Sequence, residues 1–216
     1  MKKKKNKWLW GSVIVFLCVG IGLLGYRIWN VNQKAEMPRY QDYKMGDMVE
    51  LGGDYIQDPF EMETRQGYTI KVISREIYTI EEYLDKYGCK EKMEALWEGR
   101  REKGIPQMVM EVHVLLKNEN KEDRENSGIT PIKYTLCGQD YELQMDSELL
   151  LAADSRLSEE TLMGFRLQPG TEMEFYFPFS FRTTKTDRIY PVEKVDKESL
   201  YLILSKYPNI KRIKVS

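Results

Sequence analysis

One histidine, three cysteines and a surplus of carboxylates are the groups with which this chain could do chemistry. An unperturbed imidazole has its pKa near neutrality, so His113 is the natural candidate for a general base. A triad would also need an activated nucleophile beside it and an acid to orient it. The sequence has no G-x-S-x-G elbow, and no cysteine neighbours His113. His113 stands two residues after Glu111 in an alternating run, where a histidine decorates the outer face of a strand. A single histidine and the lack of any C-x-x-C exclude a histidine-cluster zinc site and a four-cysteine one. Cys89 and Cys137 both lie beside turn residues, and two arrangements are open for them, a disulfide or two buried free thiols. A bridge would close a loop of 49 residues, worth about 4 kcal/mol by chain entropy.

The carboxylates divide in the same way. Glu81-Glu82 and Glu159-Glu160 follow Thr79 and Ser158, so they read as helix starts, where acids suit the dipole. A glycosidase needs two carboxylates facing each other across a cleft, and no spacing here demands that. The loop Asn118 to Ser127 is rich in oxygen ligands but lacks the D-x-[DN]-x-[DN]-G order of a calcium loop. No glycine-rich phosphate loop occurs. The expectation is a non-catalytic chain without metal or cofactor.

Aromatic residues are the stronger lead. Beyond residue 30 there are thirteen tyrosines and one tryptophan. Tyrosine suits partner surfaces because it is large, fairly rigid and amphipathic. Tyr40, Tyr43, Tyr55 and Phe60 cluster early. Tyr83 and Trp97 lie on a short helical stretch with more apolar area than a lone surface helix should expose. The first expectation is that this stretch packs down on the rest of the domain; if part of it stays open, Tyr83 and Trp97 are the expected partner surface.

The elements that must position these groups begin with an anchor. From Trp8 to Tyr26 no side chain is charged; such a helix spans about 28 Å, close to the hydrocarbon thickness of a bilayer. Trp8 and Trp10 mark one end, Tyr26 and Trp29 the other. Five lysines precede the span, which places residues 1–7 in the cytoplasm and the remainder outside. The apolar stretch is longer than a signal-peptide core, no A-x-A-like site follows it, and Leu17 precedes Cys18 where a lipidation signal wants a small residue. An uncleaved transmembrane helix over 8–29 and a linker over 30–39 are therefore expected, followed by an extracytoplasmic domain over 40–216. Gly20, Gly22 and Gly25 would let another helix approach. All 34 acidic residues lie beyond the anchor, with 27 of the 33 basic ones, for a net charge of −7. That surface excludes nucleic acid as a partner.

Past the linker the pattern is mostly period two. Short strands are predicted near 45–53, 67–77, 107–117, 129–136, 141–145, 171–179, 199–205 and 210–215. Met173, Phe175, Phe177 and Phe179 alternate most cleanly. One helical excursion interrupts them at 79–98. Thr79 and Glu82 have capping-box spacing, Ile80, Tyr83, Leu84 and Tyr87 share a face, and Gly88 is placed to terminate the first helix. Residues 148–153 and 159–167 are ambiguous. The sum points to an all-β sandwich of immunoglobulin-like type, decorated by the excursion.

Four stretches carry a likeness to a known group: Tyr43 to Leu51, Val109 to Asn120, Leu167 to Glu172 leading into Phe177-Pro178-Phe179, and Leu200 to Pro208. Over about residues 40–210 the chain resembles the uncharacterised immunoglobulin-like extracytoplasmic domains of membrane-anchored proteins and lipoproteins in Gram-positive bacteria. The resemblance implies a fold and a location but no catalytic residues, and the segment 79–104 departs from a plain sandwich. The expected function is a surface binding module for another membrane or cell-envelope protein. An accessory subunit of a membrane complex is the alternative, ahead of a cell-envelope enzyme.

Overall fold

The computed structural model describes residues 3–34, 38–98, 105–139, 141–181, 197 and 199–215, with backbone alone at 3–9 and 32–34. The side chains of the basic tail, linker residues 35–37, Gly99, Gly104 and Asp140 lie outside the described residues. The chain divides into two units, Met1–Met37 and Pro38–Ser216.

The first unit is one helix, α1 (Lys3–Lys34). Its apolar window, Trp10–Val31, has 22 residues and a mean hydropathy of 1.9, enough to cross a bilayer. Over Trp10–Val31 the apolar side chains face outward, as Phe16, Leu17 and Ile21 do, and that window has no polar face. A helix apolar all round has nowhere stable to sit in water. α1 is a single-pass membrane anchor, shifted two residues from the predicted span.

Among the described residues, the second unit holds nine strands in two open sheets. The five-stranded sheet has the order β1-β9-β8-β5-β6, with β1 at Arg39–Lys44, β5 at Thr135–Cys137, β6 at Glu142–Gln144, β8 at Tyr201–Ile203 and β9 at Asn209–Lys214. The four-stranded sheet is β2-β3-β4-β7, with β2 at Met48–Glu50, β3 at Tyr68–Thr79, β4 at Met108–Asn118 and β7 at Glu172–Ser180. The α-helices described between them are α2 (Glu61–Thr64), α3 (Ile80–Tyr87), α4 (Lys90–Trp97), α5 (Ser147–Ala153) and α6 (Glu159–Met163).

This corrects the immunoglobulin-like sandwich. β1 runs parallel to β9, joining the first and last strands, so the five-stranded sheet is mixed. The ambiguous segments 148–153 and 159–167 are helical at α5 and α6. The fold is mixed α/β. Part of the expected linker is also strand, since β1 begins at Arg39.

The main core lies between the sheets. Ile70, Val72, Val112, Val114, Phe175 and Phe177 enter it from one, Leu136, Leu143, Leu202 and Ile213 from the other, all fully buried. A second cluster forms on the opposite face of β4, where Val109 meets Ile80, Tyr83, Leu84, Cys89, Met93 and Trp97 from α3 and α4, and Leu149 from α5. The excursion at 79–98 is two helices, as its pattern predicts. Thr79 and Glu82 form the reciprocal capping box, and Gly88 closes α3 in the left-handed region at φ 59°. These helices cover the outer face of a sheet and so complete the fold.

Candidate functional site

A β-bulge positions the first group of residues. Along β3, Tyr68, Ile70 and Val72 point to the main core. Pairing with β4 slips between Val72 and Ser74, and beyond the slip Ile77 joins the core while Glu76 stands opposite Glu111. One extra residue reverses the facing of every later side chain. Glu76 and Tyr78 thereby reach the outer face, beside Glu111 and His113 of β4 and Tyr176 of β7. Helix α3 then lays Lys86 and Tyr87 over them.

Glu111 is at the centre, only 3 % exposed. Its Oε1 accepts from Lys86 Nζ at 2.7 Å and its Oε2 from the Tyr87 hydroxyl at 2.6 Å. The Lys86 ammonium also donates to the Tyr78 hydroxyl at 2.6 Å. It sits 4.5 Å from the Tyr78 ring centre, 5.3 Å from that of Tyr87 and 5.8 Å from that of Tyr176, all within cation–π range. The Tyr78 hydroxyl bonds Glu76 as well. Burial, and donation to the Glu111 carboxylate, push the Tyr87 phenol well above its ordinary value. His113 stacks on Tyr176 with ring centres 4.3 Å apart and planes 13° apart, and its Nε2 lies 3.0 Å from Glu174 Oε2. The result is a ledge of aromatic rings around one lysine, edged by the exposed carboxylates Glu76 and Glu174.

Tyr83 and Trp97 are not on this surface, which corrects their assignment as the partner surface. Tyr83 is 0 % and Trp97 7 % exposed. The Tyr83 ring lies 4.9 Å from that of Tyr87, on its inner side, and burial raises its phenol far above the ordinary range. The apolar area of the helices is spent on Val109 and Leu149. The early aromatics also separate: Tyr43 packs on the main core, Tyr55 meets Tyr207 at 5.7 Å, Phe60 is exposed, and Tyr40 lies over Arg212 at 4.3 Å. Cys89 and Cys137 are free thiols, Cys89 in the cluster under α3 and α4, Cys137 on β5 beside Thr135. Burial pushes both thiols up, away from the thiolate that a reactive cysteine needs. In the loop after β4, Asp123 pairs with Arg166 at 2.9 Å and Glu119 with Lys117 at 3.1 Å. No cluster of metal-ligating side chains occurs among the described residues.

A second group was not legible in the sequence at all. Glu61, at the start of α2, is 8 % exposed and accepts from the backbone N–H groups of Ile56, Gln57 and Asp58 at 2.9, 3.2 and 3.1 Å. Lys133 Nζ donates to it at 2.7 Å, and Arg65 Nη1 stands 3.7 Å away. Burial raises the Glu61 carboxyl, but the Lys133 ammonium and the N–H groups of Ile56 and Asp58 outweigh it and hold the group below the usual carboxylate range. A small cavity opens between these residues and Tyr134.

With both groups described, the comparison with known families can be set against them. Residues 40–211 match the family described as Domain of unknown function (DUF5028). The chain belongs to that family. No curated protein and no solved structure matches it. The DUF5028 region begins one residue into β1 and ends within β9, so it spans the parallel pairing of first and last strands, the ledge and the Glu61 cluster, and leaves out α1.

Proposed function

We propose that this DUF5028 protein is a non-catalytic interaction module, held on the extracytoplasmic side of the membrane by α1, that binds a membrane or cell-envelope protein through the ledge around Lys86. The observation that carries the reading is the grouping of Tyr78, Tyr87, Tyr176 and His113 about a single lysine, on a face that α3 leaves partly open. Tyr176 is 37 % exposed. Such a centre, aromatic and nearly neutral with a charged rim, has the makeup of a contact surface. The carboxylates Glu76 and Glu174 at its edge favour a partner with basic groups around an apolar contact. The lysines preceding α1 support the orientation. The non-catalytic part of the reading is supported by how the reactive groups are used: Glu111 neutralises Lys86, and His113 is stacked and paired.

The alternative, an accessory subunit of a membrane complex, draws on the small residues Gly20, Gly22 and Gly25 of α1, which would let a second helix approach closely. In-cell photocrosslinking separates the two. A photoreactive residue at Tyr176 should capture a discrete partner, and one at Ile21 should not. Capture from Ile21 alone would favour the subunit reading. A C-terminal reporter active in the cytoplasm would overturn the orientation.

A further inference from the structure

We propose that the cavity beside Arg65 is a binding site for one small monovalent inorganic anion of halide type. The site begins with an unmatched cation. Arg65 is 3 % exposed, and its guanidinium is charged at every relevant pH. Its Nη2 donates to the Leu204 carbonyl at 2.7 Å, but Nε and Nη1 have no hydrogen-bond partner. The nearest anionic atom, Glu61 Oε2, is 3.7 Å from Nη1, beyond hydrogen-bond reach. A buried charge left without an acceptor is costly, so native proteins supply one.

Glu61 does not close that gap, because its Oε1 is held by the Gln57 and Asp58 N–H groups and Lys133, and its Oε2 by the Ile56 N–H, 3.7 Å from Arg65 Nη1. The cluster thus holds two cations against one carboxylate. The space next to Arg65 is lined by Ile56, Thr64, Gly128, Thr130, Lys133 and Tyr134 besides the pair itself, and has a volume of about 10 Å³. That admits one small guest and excludes phosphate, sulfate or an organic acid. A water would find acceptors there, at Glu61 Oε2 and the Tyr134 hydroxyl, but it would leave two cations facing one carboxylate. The hydroxyls of Thr64 and Thr130 donate elsewhere, to the carbonyls of Glu61 and Met163. A guest that only accepts, and carries one negative charge, meets both the geometry and the charge.

Bromide is the probe, because it scatters anomalously. Crystals of the full chain in an uncharged detergent, grown with bromide as the only halide, should show an anomalous peak in the cavity within hydrogen-bond distance of Arg65. In solution the full chain should broaden the chloride-35 resonance, and should melt higher in chloride than in gluconate at equal ionic strength. Arg65→Lys keeps the charge and loses the fork of donors, and should abolish the excess broadening and the chloride-dependent shift. Because that variant could also fail to fold, the diffraction experiment on the unaltered chain decides. A cavity without anomalous density, or with a water in it and no halide dependence of melting, overturns the proposal.

Discussion

Removing the charge from Glu61 tests the buried cluster most directly. In Glu61→Gln the side chain keeps its length, but one acceptor oxygen becomes an NH₂ that faces donors. The carboxylate now accepts at 2.9 Å from Ile56 N–H on one oxygen, and from Gln57, Asp58 and Lys133 on the other. The amide can serve one of those sets, so at least one buried donor is orphaned, at about 1–3 kcal/mol. Arg65 and Lys133 lose their only counter-charge in the cluster, and breaking a buried pair on one side costs about 3–5 kcal/mol. Lys133 keeps 22 % of its side chain in solvent, which softens its share, so the expected loss is about 3 kcal/mol. The measurement is chemical denaturation of the full chain in detergent, followed by near-ultraviolet circular dichroism, with exposed Glu63→Gln as the control. The acid limb adds a sign. Glu61 is held below its ordinary 4.5 when folded, so its contribution is complete above that value and fades as pH falls through the lower folded one. The gap between wild type and Glu61→Gln should therefore narrow below about pH 4.5. A loss under about 0.5 kcal/mol, the range of an ordinary surface change, would refute the reasoning, as would a gap that stays constant into acid.

Three other outcomes are expected. Thr79→Ala removes the side-chain half of the capping box on α3 and should cost about 1 kcal/mol in the same denaturation assay, with Thr79→Ser restoring most of it. Tyr87→Phe deletes the 2.6 Å hydrogen bond to Glu111 while leaving the ring over Lys86, and should cost about 1–2 kcal/mol; a neutral result would mean that water reaches Glu111. Cys89 and Cys137 should both be alkylated without reductant once the chain is unfolded, and Cys89 should resist alkylation when folded, as read by intact mass; a mass lower by two hydrogen atoms, with both alkylated only after reduction, would show a bridge instead.

What the sequence made legible was local. The capping box, the glycine that ends α3 and the alternation of β7 each depend on residues a few positions apart, and each stands where its pattern predicts. The fold class depends on which strands meet and in what direction, which alternation does not encode. Tyr40 and Tyr43 pair with Ile210 and Ile213, across nearly the whole domain, and nothing in either segment declares the pairing parallel. β1 also hides in a polar stretch, because an edge strand with one exposed face and little apolar content looks like a linker. The bulge at Val72/Ser74 is a related case: strict alternation from Tyr68 would send Ser74 and Glu76 into the core, and only the pairing with β4 shows where the parity changes.

The same distinction explains why Tyr83 and Trp97 are core residues and not a partner surface. Tyr83 and Trp97 stood out because helical periodicity marks an apolar face, and that face reports burial as readily as recognition. In α3 it buries Tyr83 against Val109 and Leu149, so the residues left toward the open face of the sheet are those around the helix from it, Lys86 and Tyr87. Glu111 carried the available hint. A glutamate between Met110 and Val112, in a strand whose other face is fully buried, is a carboxylate that something must cover, and a helix with a lysine and a tyrosine on its near side is what covers it. Glu61, Arg65 and Lys133 gave no such hint, because their meeting joins α2 to the turn at Pro131–Lys133 and to the Leu204 carbonyl after β8. Charges that pair across that much chain look solvent-exposed in sequence, and only the closed fold shows that one cation is left over.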